Sequence, residues 1–165
     1  MATLNHGETL PINIAAKGVG LLPQERLQEL TAEIESLIEK GIIKGEQETR
    51  RERLLFLLKF YNETKFDPWS LTTIEIYGKT TWRNIQHDPR CSILFSSYQN
   101  TSFLIHGVTE ILKPETPEFR FVTALHDLFH LPKTGKRREY IAVYRIFCAA
   151  VYNKTPGPQA GERLS

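Results

Sequence analysis

The sequence predicts an α+β domain in which two helices precede an antiparallel sheet and one further helix stands before the last strand. Three observations carry this. Leucines and isoleucines recur at three- and four-residue spacing across residues 27–38, the mark of a helix with one apolar face. After residue 70 the pattern changes to short runs rich in β-branched and aromatic residues, separated by Gly, Pro, Asn and Asp, which is strand composition. A chain of 165 residues with no repeat and no linker-like stretch suits a single domain spanning 1–165, its helices and strands sharing a core.

Residues 1–20 read as an N-terminal arm, loosely ordered except that Leu10 to Ala16 is able to add a strand. Residues 22–65 form a helical segment. Its first helix opens near Pro23, where a missing N–H costs nothing, and carries Leu27, Leu30, Ile34, Leu37 and Ile38 on one stripe; Gly41 supplies the stop. Its second helix covers Glu46 to about Asn62. There the run Leu54 to Tyr61 is apolar nearly all round, so the helix is expected to be buried or to serve an interface. Asp67-Pro68-Trp69-Ser70 is a turn signal.

The sheet region is residues 71–152. Strands are expected at 71–77, 91–97, 103–112 and 140–152, with Gly107 as a bulge. A short helix fits 79–86, and Pro114 and Pro117 open a longer one that runs to about Leu131. Tyr140 and Tyr144 share a strand parity, which reads as a packing face. Residues 153–165 form a tail that wraps the surface.

Composition narrows the function classes. Apolar residues make up 41% and charged residues 24%, a globular balance that argues against disorder. No apolar run approaches the ~20 residues of a membrane span. The first residues lack a positive stretch followed by an apolar one, so no secretory signal is read and a cytoplasmic setting is expected. Two cysteines, Cys91 and Cys148, are too few for a disulfide framework. A net charge of +2 argues against a nucleic-acid partner. Charge is nevertheless polarised: residues 133–154 carry +5 and residues 24–52 carry −3. The two regions either attract each other or offer an anion-binding patch.

The most informative stretch is Ile76-Tyr-Gly-Lys-Thr-Thr-Trp-Arg-Asn-Ile-Gln-His-Asp-Pro-Arg-Cys-Ser-Ile-Leu-Phe95. A strand ends in a Gly turn, and a helix start carries Lys79, Thr80 and Thr81. Asn84-Ile85 follows, and Asp88-Pro89-Arg90 leads into a second strand. One ammonium and two hydroxyls beside free helix N–H groups suit an anion, although an ordinary strand–helix–strand connection has the same outline.

This stretch resembles the FMN-binding split-barrel proteins, the pyridoxamine 5′-phosphate oxidase-like superfamily. The likeness extends through Phe103–Leu112, the helix from Pro117 and the strand Tyr140–Ile146, covering about residues 71–152. It implies an antiparallel split β-barrel-like sheet and an FMN-binding flavoprotein, possible as an oxidoreductase on a small molecule of unknown identity. It implies cofactor-binding residues Lys79, Thr80, Thr81, Arg83 and Asn84, the first three near the FMN phosphate. It further implies a phosphate-bearing small-molecule partner and a homodimer, whose interface the Leu54–Tyr61 helix and Trp69 could serve. No catalytic residue and no membrane partner follow from it.

Two other readings stand beside that one. The charged helices and the basic loop Pro132–Arg138 suit a non-enzymatic regulatory or protein-interaction module that has lost flavin binding. His126 and His130 sit at i and i+4, within reach of one metal ion, and His106 or His87 could supply a third ligand; two histidines on a partly exposed helix is the plainer reading. No nucleotide-binding Gly-rich loop and no nucleophile elbow is present.

Overall fold

A computed structural model describes residues 1–7, 9–133 and 135–165. Glu8 of the N-terminal arm and Thr134 of the basic loop lie outside the described residues. The elements are β1 (Ala2–Leu4), β2 (Ile12–Ile14), α1 (Leu27–Lys44), α2 (Glu46–Glu63), β3 (Ser70–Glu75), α3 (Thr80–His87), β4 (Arg90–Ser96), β5 (Ser102–Leu112), α4 (Pro117–Phe129) and β6 (Ala142–Asn153). The α+β class, the two N-terminal helices and the helix before the last strand are as the sequence predicts.

The sheet is antiparallel throughout, in the order β2-β1-β4-β5-β6-β3. Its two outer strands are joined by the chain that follows β2. Ala15 N–H donates to Met1 on the β1 side at 2.9 Å, and five residues later Gly20 and Thr72 exchange two backbone hydrogen bonds of 2.8 Å on the β3 side. This connection rolls the sheet into a barrel-like form. The approach is close at the seam: a Cβ on Gly20 would stand 3.0 Å from Thr72 Oγ1.

β6 faces two cores. Ala142, Tyr144 and Ile146 point into the barrel with Ile85, Cys91 and Ile93. Val143, on the opposite parity, joins the helical core of Ile34, Ile38, Phe60, Phe121 and Leu128. Gly107 sits at a register shift in the β5–β6 pairing, as expected for a bulge. An added Cβ there would meet Ile146 Cγ2 at 2.6 Å and the Phe147 carbonyl oxygen at 2.8 Å.

Several expectations are corrected. The arm is ordered into two short strands, because Ala2 and Thr3 pair with Ser92 and Cys91 of β4. The first helix begins at Leu27, four residues after Pro23, and continues through Gly41 to Lys44. Gly41 is instead a close-approach position, since a Cβ would lie 2.8 Å from the Leu131 methyls; the stop is Gly45, at φ 98°. In α2 only Phe56, Leu57 and Phe60 of the apolar run are buried, and Leu54, Leu55, Leu58 and Tyr61 are exposed. The last strand starts at Ala142, so Tyr140 belongs to the preceding loop and shares no strand face with Tyr144. The tail does fold back: Val151 and Asn153 N–H groups donate to Ser165 and Glu162 carbonyls.

Opposite charges meet within the chain. Glu35 of α1 accepts from Arg120 of α4 and from Arg137 of the basic loop, at 2.6 and 2.9 Å. None of the helices among the described residues is long and apolar enough to cross a membrane.

Candidate functional site

A cavity of about 560 Å³ opens between the β2–α1 connection, the end of β3, the start of α3 and one face of α4. This volume falls within the range of small-molecule sites. Lys79, Thr80 and Thr81 line it. They are placed there because Gly78, at φ 61°, turns the chain sharply out of β3, and because Glu75 Oε1 accepts the Tyr77 and Gly78 N–H groups, both at 3.1 Å.

The lining carries an ion pair that is largely shielded from solvent. Lys17 Nζ donates to Glu75 Oε2 at 2.6 Å and to the Ile74 carbonyl at 3.3 Å. Thr81 Oγ1 accepts from Asn13 Nδ2 at 3.0 Å, and its own proton is uncommitted among the described residues. Thr72 lines the cavity with a buried hydroxyl that has no hydrogen-bond partner among the described residues. Such an orphan donor is costly unless a ligand or water meets it.

Another part of the lining comes from α4. Val122, Leu125 and Phe129 present apolar surface, and His126 and His130 present imidazoles one turn apart. Behind His126 lies a polar chain. Its Nδ1 is 2.8 Å from Tyr140 Oη, and the Tyr140 hydroxyl donates to Asp127 Oδ1. Asp127 is buried and also accepts from Arg137 Nε at 2.8 Å. With its proton committed to Asp127, Tyr140 accepts from His126 Nδ1–H. The ring is therefore the Nδ1-protonated tautomer, with a lone pair on Nε2. Burial lowers the His126 pKa below the ordinary imidazole value, helped by His130 and Arg138. Burial raises that of Tyr140, and the Asp127 carboxylate adds to it.

The five residues that the resemblance marked do not all converge. Lys79, Thr80 and Thr81 line the cavity; Arg83 and Asn84 do not. Asn84 is buried and donates to Thr3 Oγ1 and Asn5 Oδ1, at 3.0 and 2.8 Å, fastening α3 to the first strand. Arg83 is exposed, with Nη2 at 3.4 Å from Thr80 Oγ1. Sequence reasoning missed Asn13, Lys17, Thr72 and Tyr140. A lysine flanked by small residues in Ala15-Ala16-Lys17-Gly18 was the one local signal for that wall. The third histidine ligand is also corrected: His106 bonds Ser92 on the sheet, and His87 packs on His6. Among the described residues no three His, Cys, Asp or Glu side chains are placed to hold a metal.

Neither a protein-family model nor a curated protein matches the chain. Among solved structures it is similar to the 1.70 Å crystal structure of Group A Streptococcus HupZ in a V5-His6-tagged form. The two share 19% identity over 59% of this chain and 72% of that one, with a TM-score of 0.46. A likeness of that degree carries no argument about ligand or activity, which rest on the cavity.

Proposed function

We propose that the cavity binds FMN and that the chain is a flavoprotein acting as an oxidoreductase on a small molecule. The observation that carries this reading is the meeting of two unlike surfaces in one cavity. Lys79 and the Thr80 and Thr81 hydroxyls stand at the start of α3, and Val122, Leu125 and Phe129 of α4 line the same cavity. The residues fit such a group: cationic and hydroxyl donors for a phosphate and apolar walls for a ring system.

A bound flavin supplies the electron transfer, and the protein supplies orientation and exclusion. Lys79 would neutralise phosphate charge. Asn84 would act indirectly, by holding α3 so that its first-turn N–H groups face the same point. Val122, Leu125 and Phe129 would keep water from the ring. The homodimer that the resemblance implies would cover the exposed Leu54, Leu55 and Leu58 of α2, beside Tyr61, which reaches the cavity.

The test compares FMN with riboflavin, which lacks the phosphate, by quenching of flavin fluorescence. Lys79→Ala removes a charge-assisted contact of about 1.5–3 kcal/mol, a loss of roughly 10- to 150-fold. FMN affinity should fall by that factor and riboflavin affinity should not change. A purified protein that is colourless and takes up neither flavin would sink the proposal.

A further inference from the structure

The flavin reading leaves the histidine pair on α4 without a role as a pair. The rings of His126 and His130 have centroids 4.8 Å apart and planes inclined by 50°. Metal–imidazole bonds are about 2.0–2.1 Å, so an ion shared by two rings lies about 3.2 Å from each centroid; a 4.8 Å separation then subtends about 97° at the ion. That angle lies between square and tetrahedral values, so the separation is one that two rings sharing an ion take.

A second observation is independent of the spacing. His126 is held from behind by Tyr140, and Tyr140 by the buried Asp127. Metal-bound histidines characteristically have such a partner on the other ring nitrogen, because it fixes the tautomer and strengthens the donor. Asp127 also sets a negative charge behind the ring, against the positive charge of Arg138 that acts on it too. Both rings line the cavity.

We propose that His126 and His130 form a two-imidazole site for a divalent transition metal of the class that favours nitrogen ligands, such as cobalt, nickel, copper or zinc. No third protein ligand stands beside it among the described residues. The remaining coordination positions therefore belong to water or to an oxygen-bearing occupant of the cavity, the arrangement of an open site. The proposal does not depend on flavin binding.

The test is titration of the metal-free full chain with cobalt(II) chloride, followed by visible absorption, with zinc(II) as competitor. One ion per chain is expected. His126→Ala and His130→Ala should each weaken binding at least about tenfold, and Tyr140→Phe about tenfold through the lost orienting bond. His130 is exposed, so its variant keeps the fold, which circular dichroism verifies. His6 and His87, with ring centroids 5.2 Å apart, are the rival pair, so His87→Ala should leave binding unchanged. Absence of cobalt uptake at millimolar metal overturns the proposal. So does binding that survives His130→Ala, or binding that is lost with His87→Ala. Riboflavin and FMN titrations of His130→Ala read the flavin proposal separately.

Discussion

Asp127→Asn keeps the shape of a buried side chain and removes its charge from the centre of the α4 network. Asp127 accepts two hydrogen bonds, from Arg137 Nε at 2.8 Å and from Tyr140. The two donors meet different carboxylate oxygens, so an amide in the same place turns its oxygen to only one of them, and the arginine takes it because a guanidinium cannot accept a bond. The amide NH₂ then faces Tyr140, whose hydroxyl turns its proton toward His126 Nδ1. The imidazole proton is displaced to Nε2, and the lone pair facing the cavity is lost.

The energetic cost follows from the same geometry. A hydrogen bond to a charged group contributes about 1.5–3 kcal/mol. Arg137 is 35% exposed and keeps Glu35 at 2.9 Å, so water and the second carboxylate reduce the loss to about 1–2 kcal/mol. In a chain of this length that lowers Tm by roughly 2–8 °C. Calorimetry reads the first effect and ¹⁵N shifts of His126 read the second. An unchanged Tm together with a ring still protonated at Nδ1 would refute the assigned direction of these bonds.

Other outcomes are expected. Gly107→Ala forces a methyl against Ile146 and the Phe147 carbonyl, and should destabilise by about 1–3 kcal/mol in urea unfolding; an unchanged midpoint would show that the bulge relaxes freely. Tyr144 is fully buried with a hydroxyl lacking a partner among the described residues. Tyr144→Phe should therefore be neutral or stabilising, by up to about 1 kcal/mol, and a marked loss would reveal an internal water bound there. Stability should fall in two stages as pH is lowered from 7. The His126 contribution is complete above about pH 6.5 and is lost as pH falls through its lowered folded value. Glu35 is held low by Arg120 and Arg137. Asp67 is pushed up by burial but more strongly down by Ser70, the Trp69 N–H and Arg145. Both contribute above about pH 4 and lose that contribution below it. A urea midpoint that rises between pH 7 and 5 would contradict the His126 assignment.

The elements that local pattern specifies were legible. The stripe Leu30, Ile34, Leu37 and Ile38 marks α1, and Thr116-Pro117 marks the start of α4, where the Thr116 hydroxyl accepts the Phe119 N–H. β1 was not legible, because three residues of ordinary composition become a strand only when β4 arrives from some ninety residues away. Gly41 misled because a helix-stopping residue and a close-packing residue are the same amino acid, and only the position of Leu131 decides between them. In the cavity, Lys79, Thr80 and Thr81 were legible as a helix start. Their complement was not: Lys17 and Thr72 reach the same space through the barrel seam. Tyr140 looked like strand because its aromatic neighbours are, whereas its hydroxyl is claimed by Asp127.

The folding-back of the tail has a consequence for how copies of this chain behave in concentrated solution. β6 outruns β3, whose register ends at Phe147 and is followed by one more bond, from the Cys148 N–H to the Trp69 carbonyl, so Ala149–Asn153 would present bare backbone donors and acceptors along one side. The final residues occupy that side, with Val151 and Asn153 N–H groups bonded to Ser165 and Glu162 and Leu164 N–H to Val151. A strand edge with open partners is a template for strand addition by another molecule. The tail therefore works as an edge guard. Truncation at Pro156 would remove no residue of either core, yet it would turn a self-limiting sheet into one that recruits its neighbours.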